Sequence, residues 1–182
     1  VTPTEYLAFR EGLSPCANVL LGVGLHPWWV ADGRAGERDV DLLCDLVPEA
    51  PLIGEVGLDF GAAHSTPSGN EAQVRAFERI CAATAADEAG DSRILSVHAV
   101  RAAGAALDVM RRTGALGRCR CVMHWFSGTS DELGRAVRSG CWLSVGERML
   151  ATRRGREYAR QVPQDRLLLE TDLPGAPGAR PG

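Results

Sequence analysis

The chain has 182 residues, 45% of them hydrophobic and 24% charged, with a net charge of −3. That size and balance suit one globular core; they exclude a disordered or collagen-like chain and leave too little sequence for two ordinary catalytic domains. No apolar run approaches the roughly 20 residues of a spanning helix, and the first residues lack the basic-then-apolar pattern of a signal peptide, so no membrane association and a cytoplasmic location are expected.

Residues 4–12, TEYLAFREG, have the pattern of a short amphipathic helix closed by Gly12. The run NVLLGVGLHPWW then reads as a strand that leads into a loop carrying His26, Pro27 and two tryptophans. Apolar residues at 40, 42, 43, 46 and 47 make a helical stripe over 37–47, ended by Pro48. Next comes the short apolar run of PLIGEVGLDF, 51–60, a strand. A Gly/Ser/Pro/Asn loop at 61–70 precedes a long helix over 71–88 with Val74, Phe77, Ile80 and Cys81 on one face. A strand at 93–98, a helix near 99–113, the strand CRCVMH and a helix capped at Thr129/Ser130 follow. The strand CWLSV, 141–145, leads to an Arg-rich helical stretch ending at Pro163. The last strand, RLLLETDLP, gives way after residue 174 to a Gly/Pro-rich tail, 175–182, outside the single domain expected over 1–174.

Strand ends near 24, 56, 98, 124, 145 and 171, separated by helices, are the repeat of a parallel α/β protein. Right-handed crossovers put every strand's C-terminal end on one side, the ligand-binding side of barrels and open parallel sheets alike. Titratable groups gather there. Glu55 interrupts the strand at 52–56, ILSVH stops at His98, CRCVMH at His124, and LLLETD at Thr171 and Asp172. Burying an unpaired carboxylate costs several kcal/mol, so Glu55 is paired with a cation, holds a metal, or is not fully buried. Gly54 and Gly57 bracket it and allow a close approach.

Six cysteines, at 16, 44, 81, 119, 121 and 141, form no CxxC pair and read as small buried apolar residues. Cys119 and Cys121 share a strand face but lack a second pair, which makes a poor zinc site. Every basic residue is arginine. Residues 1–100 hold 6 arginines against 15 acids, while 101–182 hold 14 against 8. Most of these arginines read as solvated helix faces; those around Arg148, Arg153, Arg154 and Arg156 also suit an approach for a phosphate-bearing substrate. The four tryptophans read as core or loop packing, with room for one to stack on a base. His64, in a polar loop, is assigned no role.

GLHPWW (24–29), IGEVGLDF (53–60), VHAVRAA (97–103), MHWFSGT (123–129) and LLLETDLP (167–174) resemble, in order, the motifs of TatD-type metal-dependent deoxyribonucleases in the wider amidohydrolase-like superfamily. The resemblance implies a (β/α)8 TIM barrel with one or two divalent cations (magnesium, manganese or zinc), and DNA as substrate, hydrolysed at phosphodiester bonds from the 3′ end. By the same likeness Glu55 is the bridging carboxylate, His98 and His124 are histidine ligands, and Asp172 ligates metal and orients or deprotonates the attacking water. His26 and Asp59 then line the substrate pocket, Asp59 as a supporting acid, and Arg101 is the nearest match to an arginine that contacts substrate. In the family that arginine stands two residues after the histidine, where this chain has Val100. The family's opening strand ends in a His-x-His pair that has no counterpart here, so about six of eight βα units are expected, with Glu55, His98, His124 and Asp172 around one shared cation. A non-catalytic or partial chain, or hydrolysis of carbon–nitrogen bonds, are the alternatives. The absence of lysine removes the carboxylated-lysine centre of dihydroorotase and phosphotriesterase relatives.

Overall fold

The computed structural model describes residues 2–13 and 18–172. Cys16 and the 175–182 tail therefore lie outside the described residues. Three helices come first: α1 (Pro3–Leu13), α2 (Pro27–Ala31) and α3 (Glu37–Leu46). In α3 the spacing expected from sequence is realised, with Val40, Leu43 and Leu46 buried, before Pro48 turns the chain into a 3-10 turn.

Five parallel strands follow: β1 (Leu52–Asp59), β2 (Ile94–Val100), β3 (Arg120–Met123), β4 (Trp142–Val145) and β5 (Leu167–Leu169). They lie side by side in chain order. An unbroken order with parallel neighbours is that of a (β/α) barrel; a doubly wound sheet reverses direction at a switch point. Helices α4 (Pro67–Ala86), α5 (Ala103–Arg112), α6 (Ala115–Arg118) and α7 (Ser130–Arg138) make the crossovers up to β4, and α8 (Glu147–Ala151) and α9 (Arg153–Gln161) connect β4 to β5. Among the described residues no helix is long and apolar enough to cross a membrane.

The sixth expected strand, near residue 24, is reduced to one parallel bridge between Val23 and Ile53. The chain there does run along β1: Val23 N donates to Leu52 O at 3.0 Å, Gly54 N to Val23 O at 2.7 Å and Leu25 N to Glu55 O at 3.1 Å. Regular pairing fails because β1 shifts register between Ile53 and Val56, where Gly54 and Glu55 bulge out of the ladder. Contact at the bulge is tight. A Cβ at Gly24 would lie 2.6 Å from the Gly54 carbonyl and the Glu55 nitrogen.

Helix boundaries differ from the sequence expectations for local reasons. α4 starts at Pro67, four residues early, because Thr66 Oγ1 accepts the Gly69 N–H and Pro67 occupies the first turn. α5 starts at Ala103 because β2 continues to Val100. The Arg-rich stretch is two helices. Thr152 breaks it, and its Oγ1 accepts from Gly155 N at 2.9 Å to cap α9. At α7, Thr129 and Glu132 form a reciprocal capping box, and Glu132 Oε1 also accepts from Gly104 N at 2.8 Å, tying α7 to α5.

Phe77 and Ile80 of α4, Leu43 of α3, Leu95 and Met123 of the sheet and Met110 of α5 are fully buried in one core. Many arginines are neutralised on helix surfaces: Arg79 pairs with Glu37 and Asp41, Arg112 with Glu78, and Arg135 with Asp108.

Candidate metal centre

The bulge in β1 sets the site. Past it, Gly57 pairs with His98 of β2, and a Cβ at Gly57 would sit 2.1 Å from the His98 carbonyl oxygen. Only a residue without a side chain, here at φ +140°, permits that approach. It brings His98 between two acids, with Nδ1 2.9 Å from Glu55 Oε1 and Nε2 2.8 Å from Asp59 Oδ2. Both ring nitrogens face carboxylates, so both donate and the ring is an imidazolium. Burial alone would lower the His98 pKa; the bonds from Asp59 and Glu55 outweigh it and raise it to about 9. Asp59 responds in the opposite sense. Its burial is overcome by His98, by the Trp28 indole N–H at 2.6 Å and by the Gly61 N–H at 2.7 Å, which bring it down to about 2.

Asp59 is fixed from behind by Gln73 of α4, which accepts the Asp59 N–H at 2.6 Å and donates to its carbonyl at 3.0 Å. Glu55 is likewise held below the usual glutamate range: burial opposes ionisation, and His98 and His124 more than reverse it. His26 stands on the other side of Glu55, Nε2 to Oε2 3.7 Å. Burial, with the His98 charge beside it, pushes its pKa down to about 4, so it is neutral at pH 7. Its Nδ1 accepts from Trp28 N at 3.3 Å, which leaves Nε2 to carry the proton.

His124, just beyond β3, joins this half of the site to the next. Its Nε2 lies 3.6 Å from Glu55 Oε1 and 3.7 Å from Asp172 Oδ1, and its Nδ1 lies 3.8 Å from Glu170 Oε2 and 3.4 Å from Ser144 Oγ. Glu170, held by its own N–H on the Val145 carbonyl at 3.1 Å, has both carboxylate oxygens buried with no hydrogen-bond partner. Burial raises its pKa, against the pull of His124, and the charges of Asp172 and Glu55 raise it further. Orphaned buried carboxylate oxygens are expensive and call for a cation.

Two triads therefore have ligand atoms close enough to share an ion: His26, Glu55 and His98, and His124, Glu170 and Asp172. Four carboxylates (Glu55, Asp59, Glu170 and Asp172) gather around the rings of His26, His98 and His124, and a donor set so rich in carboxylate oxygen and imidazole nitrogen fits a divalent cation. The structure thus brings Glu55, His98, His124 and Asp172 to one rim, divided between two groups joined through Glu55 and His124. His26 and Asp59 stand in the same cluster. Arg101 does not join it: it is exposed, in the turn after β2, at φ +51°.

Three residues of the site go unmarked in the sequence reading. Glu170 directly follows the apolar run of β5, the same sequence signal that singled out Glu55. Gln73 is a polar residue four before Phe77 on the buried stripe of α4. Ser144 shows no signal beyond being a hydroxyl at a strand end.

Comparison with known proteins points the same way. The model of TatD related DNase matches residues 8–179. A 3'-5' ssDNA/RNA exonuclease TatD of Citrobacter rodentium is 30% identical over 154 residues, 83% of this chain and 56% of that protein. Its counterpart in Musicola paradisiaca is 36% identical over 133 residues, 70% of this chain and 46% of the relative. The chain spans about half the length of the curated relatives it matches. Among solved structures, a hydrolase TatD family protein from Entamoeba histolytica superposes with a TM-score of 0.71 at 20% identity, covering 93% of this chain and 56% of that one. A TatD homologue from Escherichia coli gives 0.68 at 22% identity, over 92% and 63% of the two chains. This chain thus shares the fold of a part of each of these two proteins.

Proposed function

The chain belongs to the TatD-related DNase family, and from that premise we propose that it hydrolyses phosphodiester bonds of single-stranded DNA from the 3′ end with the help of divalent cations. The observation that carries this reading is the pair of acid–imidazole triads on one rim, with both Glu170 oxygens left without a hydrogen-bond donor. Glu55, His98, His124, Glu170 and Asp172 are the residues that would hold the cations, His98 through Nδ1 after giving up the proton it shares with Glu55 and keeping its Nε2–H on Asp59. A bound divalent cation would neutralise charge on the phosphate and acidify water beside it.

The remaining chemistry belongs to the side chains. His26, kept neutral by its burial, offers Nε2–H to a phosphate oxygen. Asp59 fixes the ring plane of His98, and Trp28 and Gln73 fix Asp59 in turn. Asp172, with 44% of its side chain exposed, sits at the open side of the rim, 3.7 Å from His124, where it can orient a water and accept its proton. Its backbone is held at φ +54°, a conformation that an aspartate tolerates better than most residues.

The test uses a 3′-labelled single strand with manganese or magnesium. Wild-type protein should release the label, and Asp172→Ala should release it at least about a hundredfold more slowly, the usual weight of a general base. Equal release by the two proteins would remove Asp172 from the reaction.

A further inference from the structure

Beside the metal centre, a cavity of about 190 Å3 is lined by Trp125, Arg148, Arg154 and Tyr158 among others. It exceeds the roughly 150 Å3 that suffices for a benzene ring in an apolar protein interior. Both of its rims begin on residues that touch the candidate centre. Trp125 follows His124 and donates its N–H to Ser144 Oγ at 3.2 Å, the same hydroxyl that meets His124 Nδ1. Arg148 lies two residues after Gly146, where a Cβ would be 2.8 Å from Glu170 Oε1.

The walls are fixed before anything binds. Gly155 of α9 approaches α8 so closely that a Cβ would lie 2.0 Å from the Met149 carbonyl oxygen. Tyr158 is buried, packs against Phe126 at 5.8 Å between ring centroids and donates its hydroxyl to Gly128 O at 3.0 Å. Arg154 lies over the Tyr158 ring, 5.1 Å from its centroid, donates Nε to the Tyr158 hydroxyl at 2.8 Å and also bonds the Gly128 carbonyl. Arg148 is different. It is exposed and makes no ion pair or hydrogen bond among the described residues. Arg156, by contrast, is engaged in capping the Leu150 and Ala151 carbonyls of α8. A wider open groove continues past Arg153 and shares Arg154 and Tyr158. An aromatic surface flanked by an unpaired guanidinium is the arrangement that stacks an unpaired base and holds its phosphate.

We propose that this cavity is a nucleotide subsite, taking the base of the nucleotide next to the scissile phosphate against Trp125 and its phosphate on Arg148. A base can enter only when it is not paired and stacked in a duplex, so the subsite selects single strands. The proposal rests on the nuclease reading for which nucleotide is held, and its test does not rest on cleavage. The full chain is titrated, with manganese present, against a labelled phosphorothioate pentathymidylate and against the same backbone without bases, by fluorescence anisotropy over a series of salt concentrations.

Arg148→Ala should weaken both probes several-fold and lower the slope of log affinity against log salt by about 0.7, the share of one phosphate on a single strand. Arg148→Lys should restore the slope. Trp125→Leu should weaken the thymidylate by roughly fivefold or more and leave the base-free probe unchanged. Unchanged affinity and slope in Arg148→Ala, equal loss on both probes in Trp125→Leu, or no binding by wild type would overturn the subsite. So would equal, Arg148-dependent binding of an oligoglutamate, which would mark a general anion surface. If the variants behave as expected and no strand is cleaved, the subsite stands and the nuclease reading falls; cleavage with an indifferent Arg148→Ala gives the converse.

Discussion

Replacing Glu170 by glutamine should make the metal-free protein more stable and the metal-loaded protein less so. The side chain is 13% exposed, neither oxygen has a hydrogen-bond partner, and the nearest positive candidate, His124 Nδ1, is 3.8 Å away. An unsatisfied buried group costs about 1–3 kcal/mol, and more when charged. Glutamine keeps the shape and leaves its amide unsatisfied, but removes the charge and its repulsion with Asp172 and Glu55. The net gain should be about 1–2 kcal/mol. For a chain of this size that raises the melting temperature in chelator by roughly 2–8 °C. Because burial raises the Glu170 pKa above the ordinary glutamate value, its penalty is present in full above the raised pKa and is relieved as pH falls through it toward the ordinary value, so the advantage of Glu170→Gln should shrink in acid. Adding manganese should reverse the order. Wild type gains stability in proportion to the logarithm of cation over dissociation constant, about 2.7 kcal/mol at a hundredfold excess, and a variant short of one ligand gains less. Differential scanning fluorimetry in chelator and across a manganese series reads both effects. A wild type that is the more stable protein in chelator, or equal stabilisation of the two by manganese, would refute the reasoning.

In metal-free protein the His98 ring should titrate near pH 9 by NMR, and Asp59→Asn should move that midpoint down, since Asp59 supplies one of the two bonds that hold the proton. The sign for stability follows: the ion pair contributes fully below the unfolded histidine pKa of about 6.5 and is lost as pH rises through about 9, so the chelated wild type should lose stability over that window and Asp59→Asn less. Gly57→Ala should cost about 3 kcal/mol or more in urea unfolding, from a φ of +140° and a Cβ placed 2.1 Å from the His98 carbonyl, with cation affinity falling in step because that contact positions His98. Alkylation at pH 8 should spare Cys81, Cys121 and Cys141 in the folded chain, because all three are buried and burial pushes the Cys141 thiol up to about 12 and raises the Cys81 and Cys121 thiols as well. Modification of Cys141 at the rate seen in denaturant would contradict that burial.

Much of this molecule was legible in its sequence because apolar runs interrupted by glycines and ended by titratable residues survive tertiary packing unchanged. Glu55, His98, His124 and Asp172 each stand at such an end, and parallel strands in chain order then have one rim on which to place them. Division of the site into two triads was not legible, because it depends on the register shift after Ile53, which sets Gly57 opposite His98. A two-residue bulge leaves little trace in hydrophobic pattern. The loss of the sixth strand has the same source, since the chain near Val23 finds a bulge where it would need a ladder. Glu170 was readable by the logic applied to Glu55 but stands two residues from a more familiar aspartate. Arg156 shows the limit of charge counting: its place in an arginine cluster suggested a ligand for phosphate, and its geometry makes it a helix cap.

The rim also concentrates conformations that the chain avoids elsewhere. Among the described residues the non-glycine positions with positive φ are Arg101, Trp125 and Asp172, each just beyond the end of β2, β3 or β5. Such conformations cost on the order of 1 kcal/mol or more apiece and persist only where surrounding bonds over-determine them. Trp125 shows how: Ser144 Oγ holds its N–H, and the preceding His124 N–H is bound to the Val97 carbonyl at 2.9 Å. Together with the orphaned Glu170 and the crowd of carboxylates, these positions make the strand ends the least relaxed part of a well-packed molecule. Relief would come from a bound cation between the triads and a nucleotide against Trp125. Substitutions that relax the rim in their absence should therefore be the ones that weaken binding when either is supplied.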